Sequence, residues 1–248
     1  MQEKPARIAR LYTGGELRSG ATAQLPEDAA HHAVHVLRLR EGEDVTLFNG
    51  RGGEYAGRIA AIERLRVSVE VLAHRALERE SPLAVTLVQG VSSSEKMDFT
   101  VQKATELGVA ALQPVIAARS VGRIAGERAA QKRAHWQRVA IAACEQCGRN
   151  RVPQVLPPVP LAEYCRTPSA ADGLLLSPDA QLGLREAAAR LKGAVALAAG
   201  PEAGFSAAEE AMLQGAGFVL VRLGPRVLRT ETAALAALAA LNALAGDF

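Results

Sequence analysis

Three apolar segments in the C-terminal half of the chain each end in a turn that contains proline. The turns read Leu176-Ser177-Pro178, Gly200-Pro201-Glu202-Ala203-Gly204-Phe205 and Leu223-Gly224-Pro225-Arg226. A Gly-Pro turn exposes backbone N–H and C=O groups while proline restrains the chain, which suits a planar heterocycle bound by main-chain atoms. Ligands of parallel α/β sheets bind beyond the carboxyl ends of strands. The three turns together therefore predict a binding site, although each alone is more typical of an ordinary strand-to-helix connection.

Other catalytic signatures are missing from the sequence. It contains neither the dinucleotide fingerprint G-x-G-x-x-G nor the phosphate loop G-x-x-x-x-G-K-[ST], and no Ser-His-Asp set with a nucleophile elbow. Cys144, Cys147 and Cys165 are too few for a thiolate zinc site and form no disulfide framework. We therefore expect no metal.

The elements that must position the three turns alternate between strands and helices from Leu83 onward. Ser92-x-x-Glu95 predicts a capping box for a helix that ends at Gly108, and residues 127–146 predict a long helix. The predicted strands cover residues 83–91, 109–117, 173–177, 194–200 and 217–224, and the last three are continuously apolar. Such strands between helices indicate a parallel sheet covered on both faces.

The first third of the chain is predicted to be rich in β-strands. Residues 45–49, 54–62 and 66–72 are short strands, the first two joined by a glycine-rich hairpin turn, and residues 27–40 are predicted to be helical. A meander of this size usually closes into a small barrel. We therefore predict two domains, residues 1–75 and residues 82–248.

The charge distribution excludes a polybasic nucleic-acid binder, because the net charge is only +3. Residues 81–153 nevertheless hold ten basic against five acidic side chains, so the net charge does not exclude a local basic surface there. The most apolar stretch, Ala233–Ala245, is shorter than the roughly 20 residues of a membrane span, which predicts a packed helix and no membrane partner. With no signal-peptide pattern at the start, we expect a cytoplasmic location.

Two motifs close to the C-terminus resemble those of the RsmE family: AAGPEAGFSAAE (Ala198–Glu209) and LGPRVLRTETAALAAL (Leu223–Leu238). The resemblance continues through EKMDFTVQKATELGV (Glu95–Val109) and ACEQCGRNRVP (Ala143–Pro153), and spans nearly the whole chain. One departure is Ala203, where the family usually has glycine. Alanine retains the backbone N–H, so we expect cofactor binding to survive unless that position needs positive φ.

This resemblance implies a fold and an activity. RsmE proteins are SPOUT methyltransferases that use S-adenosyl-L-methionine to methylate N3 of one uridine in small-subunit (16S) ribosomal RNA. The implied fold is α/β, with a C-terminal SPOUT domain that has a parallel sheet and a deep trefoil knot, plus a small N-terminal PUA-like β-barrel. The implied partners are small-subunit ribosomal RNA, naked or within the assembled subunit, and a second copy of the chain in a homodimer.

The resemblance also assigns residues. It implies that the cofactor is bound by Leu176, Ser177, Gly200, Pro201, Glu202, Gly204, Leu223, Gly224, Val227 and Leu228. We expect Arg229 to stabilise negative charge on the uracil, and Glu231 to orient Arg229 or act as the base. The alternative role for Glu231 is a salt bridge or a first-turn helix carboxylate favoured by the helix dipole. We expect RNA contacts from Arg7, Arg10, Arg38, Arg40, Lys96, Arg119 and Arg149, with Arg123 and Arg151 as further candidates.

Two other functions remain open at this point. A SPOUT enzyme that acts on transfer RNA would share the knot, but it would not need the segments around Arg7, Arg10 and Lys96. A non-catalytic RNA-binding module would not need Gly-Pro turns after consecutive strands.

Overall fold

The computed structural model describes residues 8–64, 66–120, 124–167 and 171–248, which form two compact units. The first unit contains the residues up to Glu80 together with Cys144–Val152, and the second contains Ser81–Ala143 and Pro153–Phe248. Arg7 and Arg123 lie outside the described residues, so their predicted RNA contacts stay predictions.

The first unit is built on a five-stranded sheet in the order β1-β3-β4-β5-β2. Its strands are β1 (Ala9–Tyr12), β2 (Thr22–Gln24), β3 (Asp44–Phe48), β4 (Glu54–Glu63) and β5 (Arg66–Arg75). The predicted hairpin joins β3 to β4, and Gly50, Gly52 and Gly53 in its turn have positive φ, which glycine tolerates without strain. Alternate strand residues such as Leu47, Ile59 and Val69 form the core of this unit.

The predicted helix over residues 27–40 is shorter and less regular than the sequence indicated. Helix α1 (Glu27–His31) continues into a π-helical turn, His32–Val36, and Arg38 then adopts φ +55°. A residue in the left-handed conformation cannot continue a right-handed helix. The pattern of apolar residues therefore predicted the start of the element correctly but not its end.

Residues 144–152 belong by contact to the first unit, whereas the sequence prediction placed them in the domain 82–248. Backbone hydrogen bonds join Gly52 N–H to Asn150 O and Val152 N–H to Gly50 O. The Asn150 amide also donates to Leu77 O, beyond the predicted end of the first domain. The segment is thus hydrogen-bonded to the hairpin and to the residues that follow β5.

The second unit contains a parallel sheet, as predicted, with strand order β12-β10-β11-β6-β7-β8 and β9 paired to β7. Its strands are β6 (Val85–Gly90), β7 (Ala111–Ile116), β8 (Gln154–Val155), β9 (Val159–Pro160), β10 (Asp172–Leu176), β11 (Val195–Ala199) and β12 (Phe218–Val221). The three proline-containing turns follow β10, β11 and β12, which are neighbours in the sheet or separated by one strand.

Helices cover both faces of this sheet. They are α2 (Ser94–Glu106), α3 (Glu127–Cys147), α4 (Leu161–Tyr164), α5 (Leu184–Ala188), α6 (Ala207–Gly215) and α7 (Thr230–Ala245). Residues of α2, α3, α5 and α7 pack with one set of strand side chains, and residues of α4 and α6 pack with the other. Among the described residues, no helix is both long and apolar enough to cross a membrane.

The predicted capping box at Ser92 and Glu95 is wrong. Helix α2 begins at Ser94, after Ser93, and the Ser92 hydroxyl donates instead to the carbonyl of Gly90. A complete capping box occurs at α6, where Ser206 and Glu209 exchange hydrogen bonds. Gly108, with φ +83°, follows the C-terminal end of α2 as predicted.

Candidate active site

The turns after β10, β11 and β12 meet around one cavity of about 350 Å³. This volume falls in the range of roughly 300–1,000 Å³ typical of small-molecule sites. All ten residues that the sequence predicted to bind the cofactor line it. The remaining lining residues are Pro178, Ala199, Ala203, Val221, Arg226, Thr230 and Ala233.

Glycine is required on both sides of the contact between β6 and the turn after β11. A Cβ atom at Gly90 would lie 2.5 Å from the Pro201 nitrogen and 2.8 Å from the Gly200 carbonyl carbon. A Cβ atom at Gly200 would lie 2.8 Å from the Phe205 nitrogen. Because these neighbours are backbone atoms, they cannot rotate away. The sequence prediction missed Gly90, since nothing in its neighbourhood along the chain distinguishes it from any strand glycine.

Side chains from other elements hold the turn Gly200–Phe205 in place. Lys96, on α2, forms an ion pair of 2.9 Å with Glu202. Arg119 donates to the carbonyl of Ala203 at 2.9 Å. The hydrogen bond from Lys96 lowers the pKa of the Glu202 carboxyl, so this carboxylate is charged at neutral pH.

Glu209 connects the same turn to the residues that follow β7. Its carboxylate accepts hydrogen bonds from the backbone N–H of Ala118 at 2.6 Å and of Ser206 at 2.8 Å. Burial raises the pKa of Glu209, but hydrogen bonds to these two N–H groups outweigh that effect and lower it overall. A charged, buried carboxylate therefore fixes the C-terminal end of the turn.

Ala203 causes no backbone strain in this turn. Among the described residues, Arg38 and Arg64 are the non-glycine residues with positive φ, and Gly204 takes the left-handed conformation next to Ala203. The alanine side chain is also exposed. The departure from the usual glycine is therefore compatible with the cavity.

We expect Ala203→Gly to change the affinity for S-adenosyl-L-methionine by no more than about twofold. The backbone N–H is retained, and no unfavourable φ is relieved. Isothermal titration calorimetry measures this directly. A large gain in affinity would mean that the alanine side chain obstructs the site.

Comparison with known proteins adds independent information on this fold and cavity. Residues 79–242 match the RNA methyltransferase domain family, and residues 25–72 match the RNA methyltransferase PUA domain. A relative from Buchnera aphidicola (subsp. Schizaphis graminum) called ribosomal RNA small subunit methyltransferase E is 32% identical over 97% of this chain and 98% of its own. The chain belongs to the ribosomal RNA small subunit methyltransferase E family.

Two solved structures agree with this assignment. A Legionella pneumophila methyltransferase in complex with the cofactor SAM is 39% identical, with a TM-score of 0.91 over 98% of this chain and 100% of that one. The small subunit methyltransferase E of Neisseria gonorrhoeae, bound to S-adenosyl methionine, is 42% identical, with a TM-score of 0.88 over 97% and 99%. The predictions of an RNA methyltransferase, an α/β fold with a parallel sheet and a PUA domain are thus confirmed.

The two residues predicted to be catalytic in this methyltransferase adjoin the cavity without lining it. Arg229 is exposed and immediately precedes α7, where its carbonyl accepts a hydrogen bond from Ala233 N–H. Glu231 lies in the first turn of α7, and its Oε2 atom is buried without a hydrogen-bond partner among the described residues. Thr230, between them, does line the cavity, and the sequence prediction did not include it.

The predicted RNA contacts of the first unit differ in exposure. Arg38 and Arg40 are exposed. The side chain of Arg10 is 10% exposed, and it binds Glu54 at 2.6 Å and the Asn150 side chain at 2.7 Å. Arg149 is buried and forms an ion pair with Glu80. Both guanidinium groups thus form ion pairs within the first unit, and their predicted RNA contacts stay predictions.

The remaining candidates from the sequence are Arg151 and the cysteines. Arg151 is exposed, and its side chain lies 3.5 Å from that of Glu78. Burial raises the pKa of the Cys144 thiol to about 12, which makes it unreactive at neutral pH. Within residues 8–64, 66–120, 124–167 and 171–248, no group of three or more His, Cys, Asp or Glu side chains is placed to hold a metal ion.

Proposed function

We propose that the protein transfers a methyl group from S-adenosyl-L-methionine to N3 of one uridine in small-subunit (16S) ribosomal RNA. The observation that carries this proposal is the cavity formed by the turns after β10, β11 and β12. Membership of the family supports the RNA substrate, and the two SAM-bound structures support the cofactor.

The residues of the cavity suit this cofactor. Backbone groups of the turns at Ser177, Gly200 and Leu223 can bind an adenine ring, and apolar side chains such as Leu176 and Val227 offer van der Waals contact. The close approach at Gly90 and Gly200 makes these turns rigid. When bound, the cofactor supplies a methyl group already activated on a sulfonium, so that positioning by the protein provides much of the acceleration.

The uracil must lose its N3 proton before or during the reaction. Nearby side chains must therefore accept that proton or stabilise the negative charge that develops. We propose that Arg229 stabilises the negative charge that develops on the uracil carbonyls, since it is exposed and its chain neighbours Leu228 and Thr230 line the cavity. We propose that Glu231 orients Arg229 or accepts the proton. The Oε2 atom of Glu231 supports this role, because it is buried without a hydrogen-bond partner among the described residues. It can therefore accept a hydrogen bond from Arg229 or the N3 proton of the uracil.

We expect Glu231→Gln to lower kcat at least tenfold while leaving the dissociation constant of S-adenosyl-L-methionine and the RNA affinity near those of the unmodified protein. Glu210, which lies in the first turn of α6, is the matched control. Glu210→Gln removes a carboxylate from a similar helix position and should leave kcat unchanged. If Glu231→Gln retains full kcat, the carboxylate acts only on the helix dipole.

We further propose that Arg38 and Arg40 of the first unit, and Lys96 and Arg119 of the second, contact the RNA, with Arg7 as a further candidate. Arginine can pair with phosphate and stack on unpaired bases. For Lys96 and Arg119 this adds to their contacts with the turn Gly200–Phe205. Such side chains connect RNA binding to the shape of the cofactor cavity.

Three features of the family are proposed for this chain as well. The resemblance implies a trefoil knot, and the packing of α7 against α2 and β6 brings the chain back across the sheet from the edge strand β12, as such a knot requires. Val227, which lines the cavity and is apolar but 82% exposed, supports a homodimer. We also propose that the five-stranded sheet closes into a barrel, which the resemblance implies. A cytoplasmic location suits a ribosomal RNA substrate.

The function is tested on ribosomal RNA from a strain that lacks the protein. Mass spectrometry or primer extension should reveal one unmethylated uridine in the small-subunit RNA, and the purified protein with S-adenosyl-L-methionine should restore its N3-methylation. If the RNA from that strain is fully methylated while a transfer RNA has lost a methyl group, the substrate assignment is wrong. If calorimetry detects no binding of S-adenosyl-L-methionine, the assignment as an enzyme of this kind is wrong.

A further inference from the structure

A buried glutamine at the end of β6 adjoins the cofactor cavity but belongs to no motif discussed above. Gln89 is 2% exposed and follows Val85 and Leu87 on the face of the sheet that α7 covers. Its amide nitrogen lies 3.0 Å from the hydroxyl oxygen of Thr230, at the start of α7, and 3.3 Å from the carbonyl oxygen of Gly200. It also lies 3.0 Å from the carbonyl oxygen of Gly90. One side chain thus connects three separate elements.

The chemistry of this cluster determines where each proton goes. Gln89 has two amide protons for three acceptor oxygens, so one proton is shared. Because Thr230 accepts from Gln89, its single hydroxyl proton is directed to the carbonyl of Gly200, at 2.5 Å. Gly200 and Thr230 both line the cavity, whereas Gln89 does not. Gln89 therefore determines the orientation of two groups that the ligand meets.

We infer that Gln89 is a positioning residue for methyl transfer, which acts through the hydroxyl of Thr230 and the carbonyl of Gly200. This inference rests on the proposed function, because it assumes that the cavity holds S-adenosyl-L-methionine. Gln89 keeps the turn after β11 and the first residue of α7 in one fixed arrangement before the ligand enters. Preorganisation of this kind increases affinity, since the ordering cost is met during folding rather than binding.

A purely structural explanation accounts poorly for the residue type. A leucine would fill the same volume in an apolar core without placing a polar group out of water. The Oε1 atom of Gln89 is in fact buried without a hydrogen-bond partner among the described residues, which is a cost to stability. The hydrogen bonds that Gln89 donates at the cavity offset this cost.

The same sheet offers a matched control. Gln113, on β7, is also buried, and its amide nitrogen donates to the carbonyls of Pro114 and Pro157. It does not line the cofactor cavity. Gln113→Leu likewise removes hydrogen bonds from a buried side-chain amide to backbone carbonyls, so it controls for the loss of a buried glutamine away from the cavity.

The test measures S-adenosyl-L-methionine binding by calorimetry and methylation kinetics on small-subunit ribosomal RNA, with the intact chain. Gln89→Leu and Thr230→Val should each raise the cofactor dissociation constant about tenfold, from the loss of one to two hydrogen bonds. The KM for RNA should not change. The double variant should also show about a tenfold effect, because both residues act as one unit. Thr230→Ser should stay within about twofold of the unmodified protein, and Gln113→Leu should bind the cofactor normally.

Each contrary result has a distinct meaning. The inference is overturned if Gln89→Leu and Thr230→Val bind the cofactor normally, if Gln113→Leu weakens binding equally, or if the effects of the two replacements multiply. If Gln89→Leu does not fold, as circular dichroism would show, the comparison of Thr230→Val with Thr230→Ser decides, and equal affinities of these two overturn the inference. Failure of the unmodified protein to bind the cofactor would instead contradict the proposed function.

Discussion

Replacing Gly90 with alanine is expected to weaken S-adenosyl-L-methionine binding by about tenfold to a hundredfold. The new Cβ atom would lie 2.5 Å from the nitrogen and 2.6 Å from the Cδ atom of Pro201. Relief requires a shift of β6 or of the Gly200–Pro201 peptide, and β6 is fixed by pairing with both β7 and β11. The turn must therefore move, and with it the wall of the cavity. Overpacking of this kind costs about 1–3 kcal/mol, and here the distortion falls on the binding site.

The matched control for this prediction is Gly193→Ala, in the same unit. A Cβ atom at Gly193 has no neighbour within 4 Å, and neither Gly90 nor Gly193 has positive φ, so backbone strain does not differ between the two replacements. Calorimetry should show normal binding for Gly193→Ala, and both variants should retain native circular dichroism. Cofactor affinity of Gly90→Ala within about threefold of the unmodified protein would show that the turn adapts freely and does not define the cavity.

These contacts show which part of the site a sequence can reveal. The turns after β10, β11 and β12 were predictable because strand ends in a parallel sheet lie at one edge, and Gly and Pro mark them. The partners of these turns were not. Gly90 and Gln89 end a strand far along the chain from Gly200, and their importance depends on distances of 2.5–3.3 Å that only the folded sheet creates.

Two arginines that were predicted to contact RNA show the same limit of prediction from sequence. Arg10 and Arg149 have the residue type expected of an RNA contact, and the resemblance to RsmE proteins includes both. Whether a guanidinium faces RNA or the interior depends on its carboxylate partner, and Glu54 and Glu80 lie 44 and 69 residues away along the chain. Local patterns do not contain that pairing. For the same reason the sequence did not assign residues 144–152 to the first unit.

The Arg10–Glu54 pair leads to the prediction with the largest expected effect on stability. Glu54→Gln should lower the free energy of unfolding of the first unit by about 3–5 kcal/mol, because it leaves the guanidinium of Arg10 buried without its counter-charge. The side chains of Arg10 and Glu54 are only 10% and 6% exposed. Hydrogen exchange of the β4 and β5 amides, followed by mass spectrometry, measures the loss within this unit, where every 1.4 kcal/mol accelerates exchange about tenfold.

The exposed pair Arg58–Asp44 in the same sheet is the control, since its side chains are 51% and 56% exposed. Asp44→Asn should change the exchange rates of the same amides far less than Glu54→Gln does, because an exposed ion pair contributes little to stability. Burial alone would raise the pKa of Glu54, but the hydrogen bond and charge of Arg10, with the charge of Arg79, lower it below its ordinary value of 4.5. A lowered folded-state pKa stabilises the native state above pH 4.5, and this stabilisation disappears as the pH falls through the folded-state value. The difference between Glu54→Gln and the unmodified protein should therefore narrow in acid. A difference that is small at pH 7, or that persists unchanged in acid, would mean that the neutral glutamine satisfies Arg10 and that the charge of Glu54 contributes little to the first unit.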